Sequence, residues 1–194
     1  RYKIERKIED NIYSETYLVS DLWGDDRYKV LKFYNYDEQK SIIDYFITNF
    51  IQISNVRHSN ILWNEKFNMV KTIDTKKTNM LLYYSISEYI NAPKLSDIGG
   101  SLGFFEKLRL VLDILIAIDY LHFRGYTYQI LSPAEIYVLE DKNIKLMDIA
   151  TIIEKRDRSY IDDFNRYFIS PETLINKNSN DKRADYYSIG IIMK

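Results

Sequence analysis

Residues 126–150 read YTYQILSPAEIYVLEDKNIKLMDIA, and the fold turns on this stretch. Two short apolar runs, Glu135-Ile136-Tyr137-Val138 and Asn143-Ile144-Lys145-Leu146-Met147, predict a strand pair that ends at Asp148. Upstream, Phe104 to His122 carries Phe105, Leu108, Val111, Leu112, Leu115, Ile118 and Leu121 at helical spacing. That spacing predicts a long buried helix, with Gly125 placed to cap it. Downstream, Thr151 to Arg166 is polar and mixed in charge.

Working outward, the composition sets the class. The chain has 194 residues, 46% hydrophobic and 15% aromatic, enough to build one domain or a compact pair of lobes. With 27 basic and 28 acidic side chains the net charge is -1, so neither nucleic acid nor an anionic membrane is expected as a partner. The absence of cysteine excludes a disulfide framework and zinc knuckles, and leaves the redox compartment open. No apolar run approaches the roughly 20 residues of a membrane span. The charged start RYKIERKIED is no secretory signal, so a cytoplasmic location is the default expectation.

The first half predicts strands and one helix. Tyr2 to Val19 reads as two strands around a turn, and Tyr28 to Tyr34 alternates so that Val30 and Lys32 share a face. Asp37 is a plausible N-cap for a helix whose apolar face is Ile42, Ile43, Phe46, Ile47, Phe50 and Ile53. Ile61 to Val70 and Met80 to Ile86 read as strands around the polar turn Lys71 to Asn79. Asn91 to Gly103 holds Pro93, Gly99, Gly100 and Gly103, the densest punctuation in the chain.

Taken in order, these motifs resemble a protein kinase. Tyr128 to Glu135 matches the catalytic-loop signature H-R-D-L-x-x-x-N by spacing, and Asp148-Ile149-Ala150 stands where D-F-G follows it. Val30-Leu31-Lys32 resembles the V-A-I-K strand, Arg57 to Ile61 the turn after the family's αC helix, and Ser87-Glu88-Tyr89 the hinge. Ser170-Pro171-Glu172 resembles A-P-E, and Asp185 to Gly190 resembles the head of the αF helix. The resemblance implies an α+β, bilobal kinase-like fold. Residues 1–88 would form an N-lobe of antiparallel sheet with αC, and residues 89–194 a mainly helical C-lobe that stops in αF.

Most of the reaction groups the resemblance calls for are replaced. The phosphate-cradling loop needs glycines, yet its three positions carry Glu9, Asn11 and Ser14. The acid that would pair with Lys32 falls at Asn49. Tyr128 and Gln129 replace His and Arg, Ile130 replaces the catalytic Asp, Glu135 replaces the magnesium-binding Asn, and Ala150 replaces the last DFG glycine. Tyr137 falls where an aliphatic side chain floors the adenine; its ring either fills the slot or turns aside, and exclusion is favoured. His58 and His122 stand where the family uses structural histidines, and Glu172 and Asp185 are scaffold positions.

The resemblance therefore implies a degenerate, pseudokinase-like domain acting as a regulatory or scaffolding module in signalling, with no cofactor expected. Its partners would be other proteins or further domains of the same polypeptide. The alternative is an atypical Ser/Thr kinase in which Lys32 and the hinge at Glu88 hold ATP while Asp148 and Glu135 hold Mg2+. Because the sequence stops at Lys194, shortly into the αF-like helix, a longer polypeptide is expected. Were it complete, Tyr187, Ile189, Ile191 and Ile192 would predict self-association through that helix.

Overall fold

A computed structural model describes residues 1–10, 14–24, 27–72, 80–149, 152, 163–176 and 181–194. Its backbone contacts divide the chain into two compact units, residues 1–55 with 63–89, and residues 56–62 with 90–194.

The first unit is a five-stranded antiparallel sheet of order β1-β2-β3-β5-β4. Its strands are β1 (Tyr2–Asp10), β2 (Ser14–Asp21), β3 (Tyr28–Tyr34), β4 (Asn64–Thr72) and β5 (Met80–Glu88). The two-residue period puts Val19, Leu31 and Ile86 on one face, where they form a buried cluster against Tyr2, Tyr17, Phe33 and Tyr84. It puts Val30, Lys32 and Tyr34 on the other. There Tyr34 meets the helix α1 (Tyr36–Ser54) through Phe46, with ring centroids 5.8 Å apart, and Phe67 closes the cluster 5.2 Å from Phe46. The α1 stripe is narrower than its sequence predicts. Ile43, Phe46 and Ile53 are buried, Phe50 is half-buried, and Ile47 is exposed. The helix also begins at Tyr36, so Asp37 lies inside the first turn rather than capping it.

Residues 56–62, which a single division after residue 88 would leave with the first unit, pack with the second. The reason is a set of backbone bonds. Leu62 N–H donates to the Leu146 carbonyl and Leu146 N–H to that of Asn60, each at 2.8 Å, while Asn60 Nδ2 reaches the Ile144 carbonyl at 3.1 Å. Ile61 is thereby drawn away from the strand predicted to start with it, and β4 begins at Asn64.

The second unit contains helices α2 (Leu95–Ile98), α3 (Phe104–Phe123), α4 (Asp163–Phe168), α5 (Pro171–Ile175) and α6 (Arg183–Ile192), and the hairpin β6 (Ile136–Val138) and β7 (Ile144–Leu146). Its core face on α3 is Leu110, Val111, Ile114, Ala117, Ile118, Leu121 and His122. Phe105, Leu108 and Leu112, predicted to be in that face, are exposed. The helix is apolar nearly all round, so its period alone does not select the packed side; small Ala117 and polar His122 mark it instead. Gly125 caps α3 as predicted. At φ +84° it occupies the left-handed region, its N–H bonds the His122 carbonyl at 3.2 Å, and Tyr126 N–H bonds that of Leu121 at 2.9 Å. Those two bonds are the Schellman pattern.

Candidate functional site

Reversing the chain after this cap brings residues 126–135 across the unit toward α6. Asp185, in the first turn of α6, is fully buried. Its Oδ2 accepts from Tyr128 N–H at 2.9 Å and meets His122 Nε2 at 2.7 Å, and its Oδ1 accepts from Gln129 N–H. One carboxylate thus satisfies two consecutive backbone donors and an imidazole. Both donors can aim at it because Gln129 has φ +66° and Ile130 N–H closes onto the Tyr128 carbonyl at 2.9 Å. This is a γ-turn with positive φ, a strained conformation that persists only where its surroundings hold it. Asp185 and His122 are thereby joined in one buried hydrogen-bonded brace.

The loop that this brace holds carries little that could move a proton. Ile130, at the position of the family's base, is buried and has no polar side-chain atom. Tyr128 is fully enclosed, and its hydroxyl donates to the Met147 carbonyl at 3.4 Å. Burial, then the negative charges of Glu135, Asp148 and Asp185, push its ionisation well above the ordinary phenol range, so it stays neutral. The structure places Glu135 at the end of the 3-10 turn Pro133–Glu135 and Asp148 two residues beyond β7, both buried. The two segments are tied by Met147 N–H donating to the Glu135 carbonyl at 2.9 Å. Both are carboxylates, oxygen ligands of the kind a hard cation takes. Among the described residues no cluster of three or more such ligands occurs.

In the first unit, Lys32 sits mid-strand between Thr16 and Ser85, with its ammonium 5.6 Å from the Tyr34 ring centroid. Asn49 turns back on its own helix, its Nδ2 donating to the Tyr45 carbonyl at 3.0 Å. Glu88 Oε1 accepts from Trp63 N–H at 2.8 Å, which pins the end of β5 to the start of β4. Glu9 and Ser14 lie within β1 and β2, whereas Asn11 and Ala150 lie outside the described residues, as does most of the polar segment 151–166.

Several contacts were missed at the sequence level. Lys94 lies 5.7 Å over the Tyr137 ring, and Val138 N–H donates to the Pro93 carbonyl at 2.9 Å, so the half-buried phenol is backed by the 91–94 segment. Ser132 Oγ donates to Asn165 Oδ1 at 2.6 Å. Ser170, buried, caps α5, its Oγ accepting from Thr173 N–H at 3.4 Å; the Ser-Pro-Glu-Thr sequence, with Pro at the first helical position, carries that signal. Glu172 is exposed on the same helix. Ile189, predicted as part of an apolar patch on the last helix, is buried, while Tyr187 is exposed.

A sheet with one helix, a helical second unit, and an aspartate bracing a loop of this shape define the class. A sequence model of the protein kinase domain matches residues 2–194. The chain belongs to the protein kinase family. Its relatives include the eIF-2-alpha kinase GCN2 of Schizosaccharomyces pombe, 29% identical over 156 residues, covering 67% of this chain and 10% of that protein. The probable serine/threonine-protein kinase KIN1 homolog of Encephalitozoon cuniculi is 28% identical over 116 residues, 57% of this chain and 20% of that protein. Developmentally-regulated protein kinase 1 of Dictyostelium discoideum is 29% identical over 132 residues, 64% of this chain and 18% of that protein. The chain thus spans a fifth or less of the length of each. No helix among the described residues is long and apolar enough to cross a membrane.

Proposed function

We propose that this chain is a pseudokinase: a kinase-fold module that works by contact, as a regulatory or scaffolding element in signalling, rather than by phosphoryl transfer. The observation that carries this reading is Ile130, a buried hydrocarbon where the reaction needs a carboxylate to orient the substrate hydroxyl. Its neighbours do not compensate, because Tyr128 is a buried neutral phenol and Gln129 is committed to the strained turn on Asp185. Loss of a positioned base typically costs ~10²–10⁴ in rate, and further losses in the same machinery need not multiply. Its partners are taken to be proteins or further domains of the same polypeptide, in the cytoplasm, a view supported by the balanced charge of -1.

Nucleotide titration tests it. With millimolar ATP and magnesium the melting temperature of the full polypeptide should not move. A ligand at 100 times its dissociation constant would add about 2.7 kcal/mol, so a clear rise overturns the prediction that the nucleotide site is closed.

One observation favours a second reading. Glu135 and Asp148 are buried carboxylates on tied segments, and oxygen ligands of that kind suit magnesium. In an atypical Ser/Thr kinase these two would hold the ion and Lys32 the phosphates; the ion would supply charge neutralisation on the transferring phosphoryl group. Incorporation of labelled phosphate by the parent, abolished in Asp148→Ala, would establish this function and refute the first. Equal signals, or none from either protein, would eliminate it.

A further inference from the structure

The outward side of α3 also carries large apolar side chains. Phe105, Leu112, Ile116 and Phe123 are 82%, 53%, 55% and 87% exposed. Between them lie two exposed charges, Arg109 and Asp119. The positions 105, 109, 112, 116, 119 and 123 follow one another at alternating steps of four and three. That is the a/d seam of a coiled coil, the pattern by which one helix packs along another.

The order of residues in the seam is self-complementary. Reversing it about the midpoint between Leu112 and Ile116 sets aromatic on aromatic, arginine on aspartate and aliphatic on aliphatic. We propose that α3 is a homodimer interface, in which two copies lie antiparallel about a two-fold axis at that midpoint. Phe105 then packs on the partner's Phe123, Arg109 pairs with the partner's Asp119, and Leu112 meets the partner's Ile116. Each contact occurs twice, as an isologous interface requires. Charge selects the orientation. A parallel pair would oppose each Arg109 to the partner's Arg109 and each Asp119 to the partner's Asp119, whereas the antiparallel pair neutralises both, in the way polar seam residues set helix direction.

Arg109 Nη2 donates to Asn143 Oδ1 at 2.8 Å within the same chain, and the fork retains further donors for the partner's Asp119. The seam from residue 105 to 123 is about 27 Å long at 1.5 Å per residue. Four phenylalanine rings, each offering about 150–250 Å², supply on the order of half of the roughly 1,200–2,000 Å² that a stable interface buries. The interface lies wholly in the second unit and does not depend on whether the domain transfers phosphate. A failed nucleotide test and a failed dimer are therefore separate results.

Charge exchange in the full polypeptide tests it, read by sedimentation equilibrium with melting curves as the check on folding. Arg109→Asp and Asp119→Arg should each weaken self-association by about tenfold or more, because each places two like-charge contacts in the seam. An equimolar mixture of the two variants should recover parent-like affinity as a heterodimer, in which both ion pairs are restored. Phe123→Ser should leave a folded monomer. A parent that stays monomeric at about 100 µM, variants that associate as the parent does, or a mixture no tighter than its components would each overturn the proposal.

Discussion

Replacing Asp185 by alanine tests the brace on which the loop depends. The carboxylate is fully buried and receives Tyr128 N–H at 2.9 Å, Gln129 N–H and His122 Nε2 at 2.7 Å. Alanine leaves the two backbone donors without an acceptor in a site closed to water, at about 1–3 kcal/mol for each buried group left unmade. The groups relax together, and release of the strained turn at Gln129 offsets part of the cost. The net loss should therefore fall near the ~3–5 kcal/mol seen when one partner of a buried charged network is removed. At about 2–4 °C per kcal/mol for a domain of this size, the melting temperature should drop by roughly 6–20 °C. Asp185→Asn keeps one acceptor oxygen and turns an N–H toward a donor, so it should lie between alanine and the parent. Urea unfolding followed by far-UV circular dichroism gives the global number. Hydrogen exchange at the Tyr128 and Gln129 amides gives the local one, with both becoming fast in the alanine variant. A loss under about 1 kcal/mol with those amides still protected would refute the account of Asp185 as the loop's anchor.

Three further outcomes follow from single sites. Gly125→Ala should cost about 1 kcal/mol in urea unfolding, because at φ +84° the penalty is conformational and a Cβ there meets nothing within 4 Å. Gly24→Ala should cost a similar amount, here by collision: its Cβ would lie 2.9 Å from Asp21 Oδ2, in a carboxylate already fixed by Arg1 at 2.8–3.2 Å. His58 predicts a pH slope. Burial, then the charge of Lys145, lowers its pKa from 6.5, and its Nδ1 accepts from Asn60 N–H at 3.1 Å. On acidification the unfolded chain takes up this proton first. The stabilisation is then complete above 6.5 and is lost as the pH falls through and below that value. His58→Asn should flatten the stability profile between about pH 7.5 and about pH 5.5; an unchanged slope would show that His58 is not its source.

The fold was legible where sequence signals are local and redundant. The strands β1 to β5, the α3 cap at Gly125 and the placement of Asp185 each rest on period, glycine or spacing, and each is present in the structure. What was misjudged depended on choosing between equivalent faces or partners. α3 offers apolar residues on every side, so the sequence alone did not separate Leu110 and Ala117, which pack, from Phe105 and Leu112, which do not. Ile61 reads as strand, but its backbone partner is Leu146, 85 residues away, and a pairing at that distance leaves no local trace. The site was legible in its identities and opaque in its contacts. Ile130 could be read as apolar where the family carries its base, yet nothing in the sequence pairs Lys94 with Tyr137 or Ser132 with Asn165.

Burial and hydrogen bonding also explain how this loop holds its shape whatever side chains stand at 129 and 130. The conformation at 128–130 is specified by backbone groups: two N–H donors aimed at Asp185 and one three-residue turn. None of these involves the side chains at 129 or 130, so an arginine or aspartate there can be exchanged without touching the bonds that hold the turn. Ile130 goes further, since its side chain is buried and adds apolar contact that a carboxylate in the same place would forfeit. An apolar side chain at 130 therefore favours stability, whereas loss of Asp185 opposes it, and the two positions are free to change independently. A substitution of Ile130 by aspartate should accordingly cost stability, on the order of 1–3 kcal/mol in urea unfolding, while leaving the Tyr128 and Gln129 amides protected. Loss of that protection would show that the packing at 130, and not the carboxylate at 185, is what holds the loop.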